Sequence, residues 1–239
     1  MRPAPLGWLL SAALLLSGCA SAVPAWSGGS TTPKQRTDVA LGGAARVPTG
    51  ELRDLEGLPQ RRAAQGGGVV PVGMLRRGLT RHLDVGLMVA GTDARLELRG
   101  ELGVEEGSTR SAWVWAVAPQ VGWIPEEDGS GSGTRFGLDL PFVRAMDFGG
   151  VYDVWFGLRV GAEGVTGDFA LEEGGAAAGA SAFGLRAGGL VGLAAGFRRV
   201  HAFLEVTVAY ERWWGSHGER SLDRGGAVLL PAFGLRVRL

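Results

Sequence analysis

The amino-acid sequence predicts an all-β fold, namely a closed antiparallel up-and-down transmembrane β-barrel of about 10 strands, with a range of about 8 to 12. Apolar and polar residues alternate in segment after segment, which gives each strand one apolar face. The segments are near the ~9 to 11 residues that a tilted strand needs to cross a bilayer. After the first 18 residues no uninterrupted apolar run is long enough for a spanning helix.

Composition agrees with many short strands. Glycine accounts for 42 of 239 residues without a collagen period, which is typical of strands joined by turns. The formal net charge is zero, and the cationic residues are arginine except for Lys34. A neutral chain gives no electrostatic case for a nucleic-acid partner.

The chain begins with an export signal. Residues 1–18 combine a positive charge at Arg2 with an apolar run and then small residues, which is typical of a secretory signal peptide. The following Cys19 is the only cysteine, so it has no partner for an internal disulfide. A lipidated thiol explains such a lone cysteine in an exported protein.

The stretch Leu16-Ser17-Gly18-Cys19 resembles the lipobox of bacterial lipoproteins. The resemblance implies that residues 1–18 are a lipoprotein signal peptide, removed before Cys19, whose thiol carries a diacylglycerol. Ala20 and Ser21 follow the cysteine, and by the same resemblance they favour sorting to the outer membrane. Residues 19–37 are small, polar and proline-containing, which predicts a lipidated flexible tether.

The barrel is predicted over residues 38–239. Its first strand has the weakest pattern, but an even strand number is needed if both ends of the barrel chain lie on one side of the membrane. The predicted strands cover residues 38–48, 67–78, 81–91, 93–103, 111–123, 133–144, 150–164, 181–197, 199–213 and 226–239.

The stretch DARLELRGE, residues 93–101, has a charge at every second position with alternating sign. At a period of two, these charges share one face, and the apolar residues between them share the other. The same phase applied to the other segments predicts a lumen lined by charges of both signs. They are Asp84, Asp93, Arg95, Glu97, Arg99, Glu101, Arg135, Asp139, Asp153, Arg159, Glu163, Arg186, Glu205, Glu211, Arg236 and Arg238.

Balanced charges in an interior of low dielectric imply cross-strand ion pairs, because unpaired buried charges are costly. A barrel of about eight to ten strands has a lumen that its own side chains can largely fill. The sequence therefore predicts a narrow or plugged lumen without general porin activity.

The connections between strands alternate in length along much of the chain. Residues 49–66, 124–132, 165–180 and 214–225 form long predicted connections, whereas residues 145–149 and the turn at Arg198-Arg199 are short. Membrane barrels combine short periplasmic turns with longer external loops. Aromatic residues at strand ends, including Trp123, Tyr210, Trp213 and Trp214, are expected at the outer membrane interface.

The carboxyl end, PAFGLRVRL, resembles the terminal strand of bacterial outer-membrane β-barrel proteins. Gly234, Val237 and Leu239 occupy the places of the glycine and the two spaced hydrophobic residues that the barrel-assembly machinery reads in that family. The sequence departs from the family pattern by ending on leucine instead of phenylalanine and by having Ala232 where a polar residue is common.

Chemistry beyond the barrel is sparse, and no catalytic residue, metal site or cofactor is predicted. The three histidines have no spacing that forms a metal site with carboxylates or sulfur. His201 with Glu205, and His82 with Asp84, are the only candidate pairs on a predicted lumen face. The chain is therefore not expected to be an enzyme.

Together these features predict an outer-membrane β-barrel lipoprotein. Its expected role is either structural or that of a narrow selective channel with a charge-filled lumen. Its expected place is the bacterial outer membrane, with a lipid anchor. Its expected partners are outer-membrane lipid and the barrel-assembly and lipoprotein-processing machineries. Two alternatives remain open: a soluble lipocalin-like barrel or sandwich that binds an apolar ligand, and a membrane-barrel hydrolase. An outward apolar belt with interior charges distinguishes a membrane barrel from a soluble one.

Overall fold

A computed structural model describes residues 23–26, 28–52, 69–107, 109–125, 131–169, 177–197 and 199–239. Among these residues no helix has the length and apolar character needed to span a membrane. The elements in chain order are β1 (Thr37–Ala45), β2 (Val47–Pro48), a 3₁₀ turn (Gly50–Leu52), β3 (Val69–Gly78), β4 (Leu83–Ala90), β5 (Asp93–Glu105), β6 (Arg110–Ile124), β7 (Gly131–Phe148), β8 (Tyr152–Phe169), β9 (Ala178–Phe197), β10 (Val200–His217) and β11 (Arg220–Arg238).

The strands form one closed antiparallel barrel. Each strand from β3 to β11 pairs with its neighbours in sequence, and β1 pairs with both β3 and β11. The closing pair runs from Asp38 opposite Arg238 to Ala44 opposite Ala232. The two-residue β2 then continues alongside β11, so the predicted barrel of ten strands is confirmed with one short strand added.

The two ends of the barrel differ. We call the end with the start of β1 and the end of β11 the near rim, and the opposite end the far rim. Strands β7 to β11 have 18 to 20 residues, whereas β4 has 8, so the wall on that side rises higher at the far rim. The expected long connection 214–225 is wrong, because β10 and β11 continue into it as a hairpin.

The barrel has charges inside and apolar residues outside. In β5, Glu97 is 2% exposed, whereas Leu96 and Leu98 are 55% and 41% exposed. The same inversion holds for leucine, valine and phenylalanine residues around the whole outer wall. A soluble barrel has the opposite arrangement, with its apolar face inside, so the soluble alternative is wrong.

Some glycines of the barrel lie opposite aromatic rings of the paired strand, and the rings pack directly on the glycine backbone. A Cβ atom on Gly192 would lie 2.1 Å from Cε2 of Trp155 on the paired strand, and one on Gly184 would lie 2.6 Å from Trp213. Trp213 was expected at the membrane interface, but its side chain is buried inside the barrel. It shares the inward phase of Glu211 and donates to that carboxylate at 3.1 Å.

An apolar cap narrows the lumen near the far rim. The 3₁₀ turn brings Leu52 inward, where it is fully buried. There it belongs to a cluster with Ile124, Phe169 and Trp213, which come from the far-rim ends of β6, β8 and β10. The cap therefore lies between the charged interior and the far-rim opening.

Candidate functional site: the filled lumen

The predicted lumen charges all lie on the inner face of the barrel. All of them are buried except Arg238, whose side chain is 28% exposed at the near rim. Alternation within each strand places them there, since every second residue points inward. Most of them belong to three groups of ion pairs, and Glu101 pairs separately with Arg110.

The first group lies on β3, β4 and β5. Asp84 accepts from Arg99 through both carboxylate oxygens, at 3.0 and 2.6 Å. Arg76 donates to Glu97 at 2.5 Å and also lies 3.8 Å from Asp84. These contacts distribute two carboxylates between two guanidinium groups, so neither sign is left uncompensated.

The second group lies at the middle height of the barrel. Asp139 on β7 pairs with Arg159, and its oxygens lie 3.5 Å from Arg95 and 3.7 Å from Arg186. Arg186 also donates to Glu211 at 3.2 Å, and Arg46 pairs with the same carboxylate. Each of these contacts joins strands that are adjacent or separated by one strand in the barrel, and together the contacts run around the lumen from β5 to the end of β1.

The third group consists of the pairs around Arg135 and those at the near rim. Arg135 donates to Asp93 at 2.7 Å and lies 3.2 Å from Glu163. At the near rim, Arg236 donates to Asp153 at 2.5 Å, and Arg238 donates to Asp38 at 2.9 Å. A buried pair of this kind compensates for desolvation only when the remaining polar atoms also find partners.

Among the described residues, the sequence analysis missed three interior charges, namely Asp38, Arg46 and Arg76. Arg46 lies between β1 and β2 and so belongs to no alternating run. Arg76 follows Val72 and Met74 on the inner face of β3, where the pattern indicates an apolar lining. The weak pattern of β1 concealed Asp38 in the same way.

The largest departure from expectation concerns the segment before β1. Residues 19–37 were expected to form a flexible tether, yet the described part of this segment enters the lumen from the near rim. Gln35 donates its amide to Gly78 at the end of β3. Farther in, Trp26, Thr31 and Thr32 are almost inaccessible to solvent. We call residues 23–32 the lumen segment.

Lumen arginines bind the carbonyl oxygens of the lumen segment. Each bond joins a positively charged donor to a main-chain acceptor, and such bonds are stronger than those between neutral groups. The bonds are Arg159 to Val23 (2.8 Å), Arg95 to Pro24 (2.5 Å) and to Ala25 (2.7 Å), Arg76 to Trp26 (3.2 Å) and Arg99 to Ser30 (3.3 Å).

Lumen carboxylates bind the amide groups of the same segment. Trp26 N donates to Glu205 at 2.7 Å, and the indole of Trp155 donates to the other oxygen of this carboxylate at 2.8 Å. Thr31 N and Thr32 N donate to Glu101 and Asp84, each at 2.6 Å. Asp84 and Glu101 also pair with Arg99 and Arg110, so these two carboxylates hold an arginine and the main chain together.

The order of these contacts gives the path of the segment. Thr32 lies beside Asp84 near the start of β4, at the near rim. Val23 lies beside Arg159, which binds Asp139 in the middle of β7. The chain therefore runs from the near rim to the middle of the barrel as its residue numbers decrease.

The candidate histidine pairs are not assembled into a catalytic arrangement. His201 Nε2 lies 2.9 Å from the carbonyl oxygen of Gly150, while Glu205 holds Trp26 and Trp155. His82 contacts Glu101 at 3.4 Å instead of Asp84. Within the described ranges no three His, Cys, Asp or Glu residues are placed to hold a metal ion.

The terminal motifs differ in what the structure describes. Residues 1–18 and Cys19 lie outside the described residues, so the predicted cleavage and acylation remain predictions. Gly234 and Val237 lie in β11, which pairs with β1 and β10, and Leu239 follows it. Gly234 lies against the ring of Phe203, since a Cβ there would be 2.8 Å from Cζ.

No protein-family model matches the chain, and no curated protein matches it by sequence. Among solved structures, the chain resembles the attachment invasion locus protein Ail of Yersinia pestis, with 10% identity and a TM-score of 0.36 over 86% of this chain and 99% of that one. It also resembles the CymD monoaromatic hydrocarbon channel, with 9% identity and a TM-score of 0.25 over 86% of this chain and 89% of that one. Likenesses at this level assign no activity.

Proposed function

We propose that this protein is an outer-membrane β-barrel lipoprotein, anchored through Cys19, whose lumen is closed while the lumen segment occupies it and becomes a narrow selective passage when the segment leaves. The single observation that carries the proposal is the set of charge-assisted bonds between lumen side chains and the main chain of residues 23–32. In the closed state the role of the barrel is structural.

The location in the outer membrane is supported by the inverted barrel and by the two resemblances in the sequence. The near rim carries the start of β1, the end of β11 and short turns such as residues 149–151, as periplasmic rims do. The motif at Gly234, Val237 and Leu239 adds barrel-assembly machinery as a partner, and the lipobox adds the lipoprotein-processing machinery.

The passage is expected to select small ions and to exclude larger solutes. With the lumen segment in place, the arginine and carboxylate groups on the walls are already paired with each other or with its main chain. Without the segment, the arginines that bind its carbonyl groups regain free N–H donors and attract anions or carbonyl-bearing solutes. The far-rim cap around Leu52 then remains as a second constriction.

Conductance in planar bilayers tests the proposal. The Cys19→Ser protein keeps the lumen segment without an acyl chain, and it is expected to stay closed. The same protein without residues 20–32 is expected to show small, discrete conductance steps. A deletion of residues 126–130, which connect β6 and β7, serves as the control and is expected to remain closed.

Steady conductance from the full-length Cys19→Ser protein would contradict the closed state. A deletion variant that shows no conductance, but still shows the heat-modifiable gel migration of a folded barrel, would contradict the passage. Only the structural role would then remain. Intact mass of the wild-type protein tests the anchor, since an acylated chain starting at Cys19 is heavier than the cleaved polypeptide.

A further inference from the structure

The lumen holds its occupant by the main chain far more than by side chains. Five carbonyl groups and three amide groups of residues 23–32 bond to charged side chains of the barrel. The hydroxyl of Thr31, by contrast, is buried without a hydrogen-bond partner. Contacts of this kind recognise the main chain of a peptide with little regard for most of its side chains. The bound segment is bent, because Trp26 and Gly28 both have positive φ angles.

Two side chains of the occupant make specific contacts with the barrel. The hydroxyl of Thr32 donates to Asp38 at 3.2 Å. The Trp26 ring is buried and packs edge-on against Phe203, with ring centroids 4.8 Å apart. The next described residues are glycines in tight surroundings. A Cβ on Gly28 would lie 3.2 Å from Arg236, and one on Gly29 would lie 2.9 Å from Asp153. The site thus fits one aromatic residue followed by small ones.

We propose that the lumen is a binding site for a single peptide segment, recognised through its main chain, and that anchoring of an acylated Cys19 at the near rim empties this site of residues 23–32. The inference rests on the proposed function, because it takes the acyl chain at Cys19 from there. The occupant class is a peptide that has one aromatic residue followed by small residues.

Chain length makes the acyl anchor and the occupied lumen mutually exclusive. Four peptide units separate Cys19 from Val23, and an extended chain covers at most ~3.6 Å per residue, or about 14 Å. Val23 is held at mid-barrel, inside a closed wall. To reach the leaflet at the near rim, residues 19–22 would have to run back beside residues 24–32.

The lumen has no space for a second stretch of chain beside residues 24–32. Around Gly28 and Gly29 even one added carbon would meet wall side chains from β8 and β11. Asp139 and the three arginines that surround it also occupy the level where the chain would have to turn. An acyl chain in the near-rim leaflet therefore requires that the lumen segment leave the barrel.

A peptide measurement tests the recognition. The probe is a fluorescein-labelled peptide of residues 23–32, titrated by anisotropy with the Cys19→Ser protein that lacks residues 20–32. We expect saturable binding that weakens about tenfold or more when the Thr31 amide is N-methylated, because its bond to a carboxylate is lost. A Thr31→Val peptide is the matched control and is expected to bind within about threefold, since the hydroxyl has no partner.

The altered groups are in the peptide, so the folding of the barrel is the same in every titration. Absence of binding, or equal loss from N-methylation and from Thr31→Val, would overturn recognition through the main chain. Preferential loss from N-methylation supports it.

A labelling measurement tests the exclusion. Thr31→Cys is placed in the otherwise wild-type chain, where Cys19 is blocked by its lipid, and in the Cys19→Ser chain, so each protein has one free thiol. In vesicles, a maleimide probe is expected to label the acylated protein at least about ten times faster, because Thr31 is buried only when the segment is docked. Equal protection in both proteins would overturn the exclusion.

Intact mass measured first keeps the two proposals separate. If Cys19 carries no acyl chain, the proposed anchor is wrong and with it the emptying of the lumen by acylation. The peptide titration uses a protein without Cys19, and it then decides the peptide site by itself.

Discussion

Replacing Gly192 with alanine tests how Trp155 supports the lumen segment. The new Cβ would lie 2.1 Å from Cε2 of Trp155, far inside van der Waals contact, so the indole ring has to move. The same ring donates from Nε1 to Glu205 at 2.8 Å, and Glu205 in turn accepts from the Trp26 amide. One methyl group therefore disturbs both the wall and the held segment.

The expected loss follows from two contributions. Overpacking of a well-filled interior costs ~1–3 kcal/mol. Loss of a hydrogen bond to a charged group costs a further ~1.5–3 kcal/mol. We therefore expect the free energy of unfolding of the Gly192→Ala protein to fall by about 4 kcal/mol.

Urea unfolding in phospholipid vesicles, followed by circular dichroism, measures this change. Gly189→Ala on the same strand is the control, since its Cβ would meet only the carbonyl oxygen of Gly157, at 3.7 Å. We expect the control to stay within about 1 kcal/mol of wild type. Equal stabilities of the Gly192→Ala and Gly189→Ala proteins would refute the reasoning.

A double variant locates the cause of the loss. In the Gly192→Ala protein with Trp155→Leu, the ring that clashes is absent, so the two losses are expected to be less than additive. Strict additivity would mean that the added methyl group destabilises the barrel by some route other than Trp155.

Three further substitutions test the lumen pairs, the outer belt and the far-rim cap by the same unfolding assay. Glu211→Ala leaves the buried Arg46 uncompensated and is expected to cost ~3–5 kcal/mol, whereas Asp223→Ala breaks an exposed pair worth ~0–1 kcal/mol, and equal effects would contradict the role of burial. Leu158→Arg places a charge on the lipid-facing middle of β8, where it is expected to cost ~2–4 kcal/mol, and a wild-type stability in vesicles would place Leu158 outside the acyl region. Leu52→Ala is expected to cost ~2–5 kcal/mol through the cavity left in the cap, and a loss below this range would mean that the cap is loosely packed.

The barrel itself was predictable because its information is local. Alternation at a period of two identifies both the strands and their inner faces, and β5 is the clearest case. The strands of the higher wall were predicted too short, because the outward apolar pattern stops before the strand does. The hairpin at residues 214–225 shows this, since β10 and β11 stay paired there although the apolar pattern has ended.

The lumen segment was not predictable from its own residues. Small and polar residues with proline are equally typical of a solvated linker, and the bonds that hold the segment are made by its main chain. Its partners are remote in sequence, as between Trp26 and Glu205, which are 179 positions apart. Only the closed barrel brings such groups together, so no local pattern encodes the contact.

The alternating charges of β5 also specify how this strand can align with its neighbours. Residues 93–101 change sign at every inner position. A slip of one residue would turn all five charges toward the acyl chains, and a slip of two would keep them inside but reverse every sign against Asp84 and Arg135. Only a slip of four residues restores both face and sign, and in neither direction is such a slip compatible with the two-residue turn between Ala90 and Asp93. Face and sign of these charges together repeat only every four residues. The charges therefore specify one register of β5 among the several that backbone hydrogen bonding alone would allow in lipid.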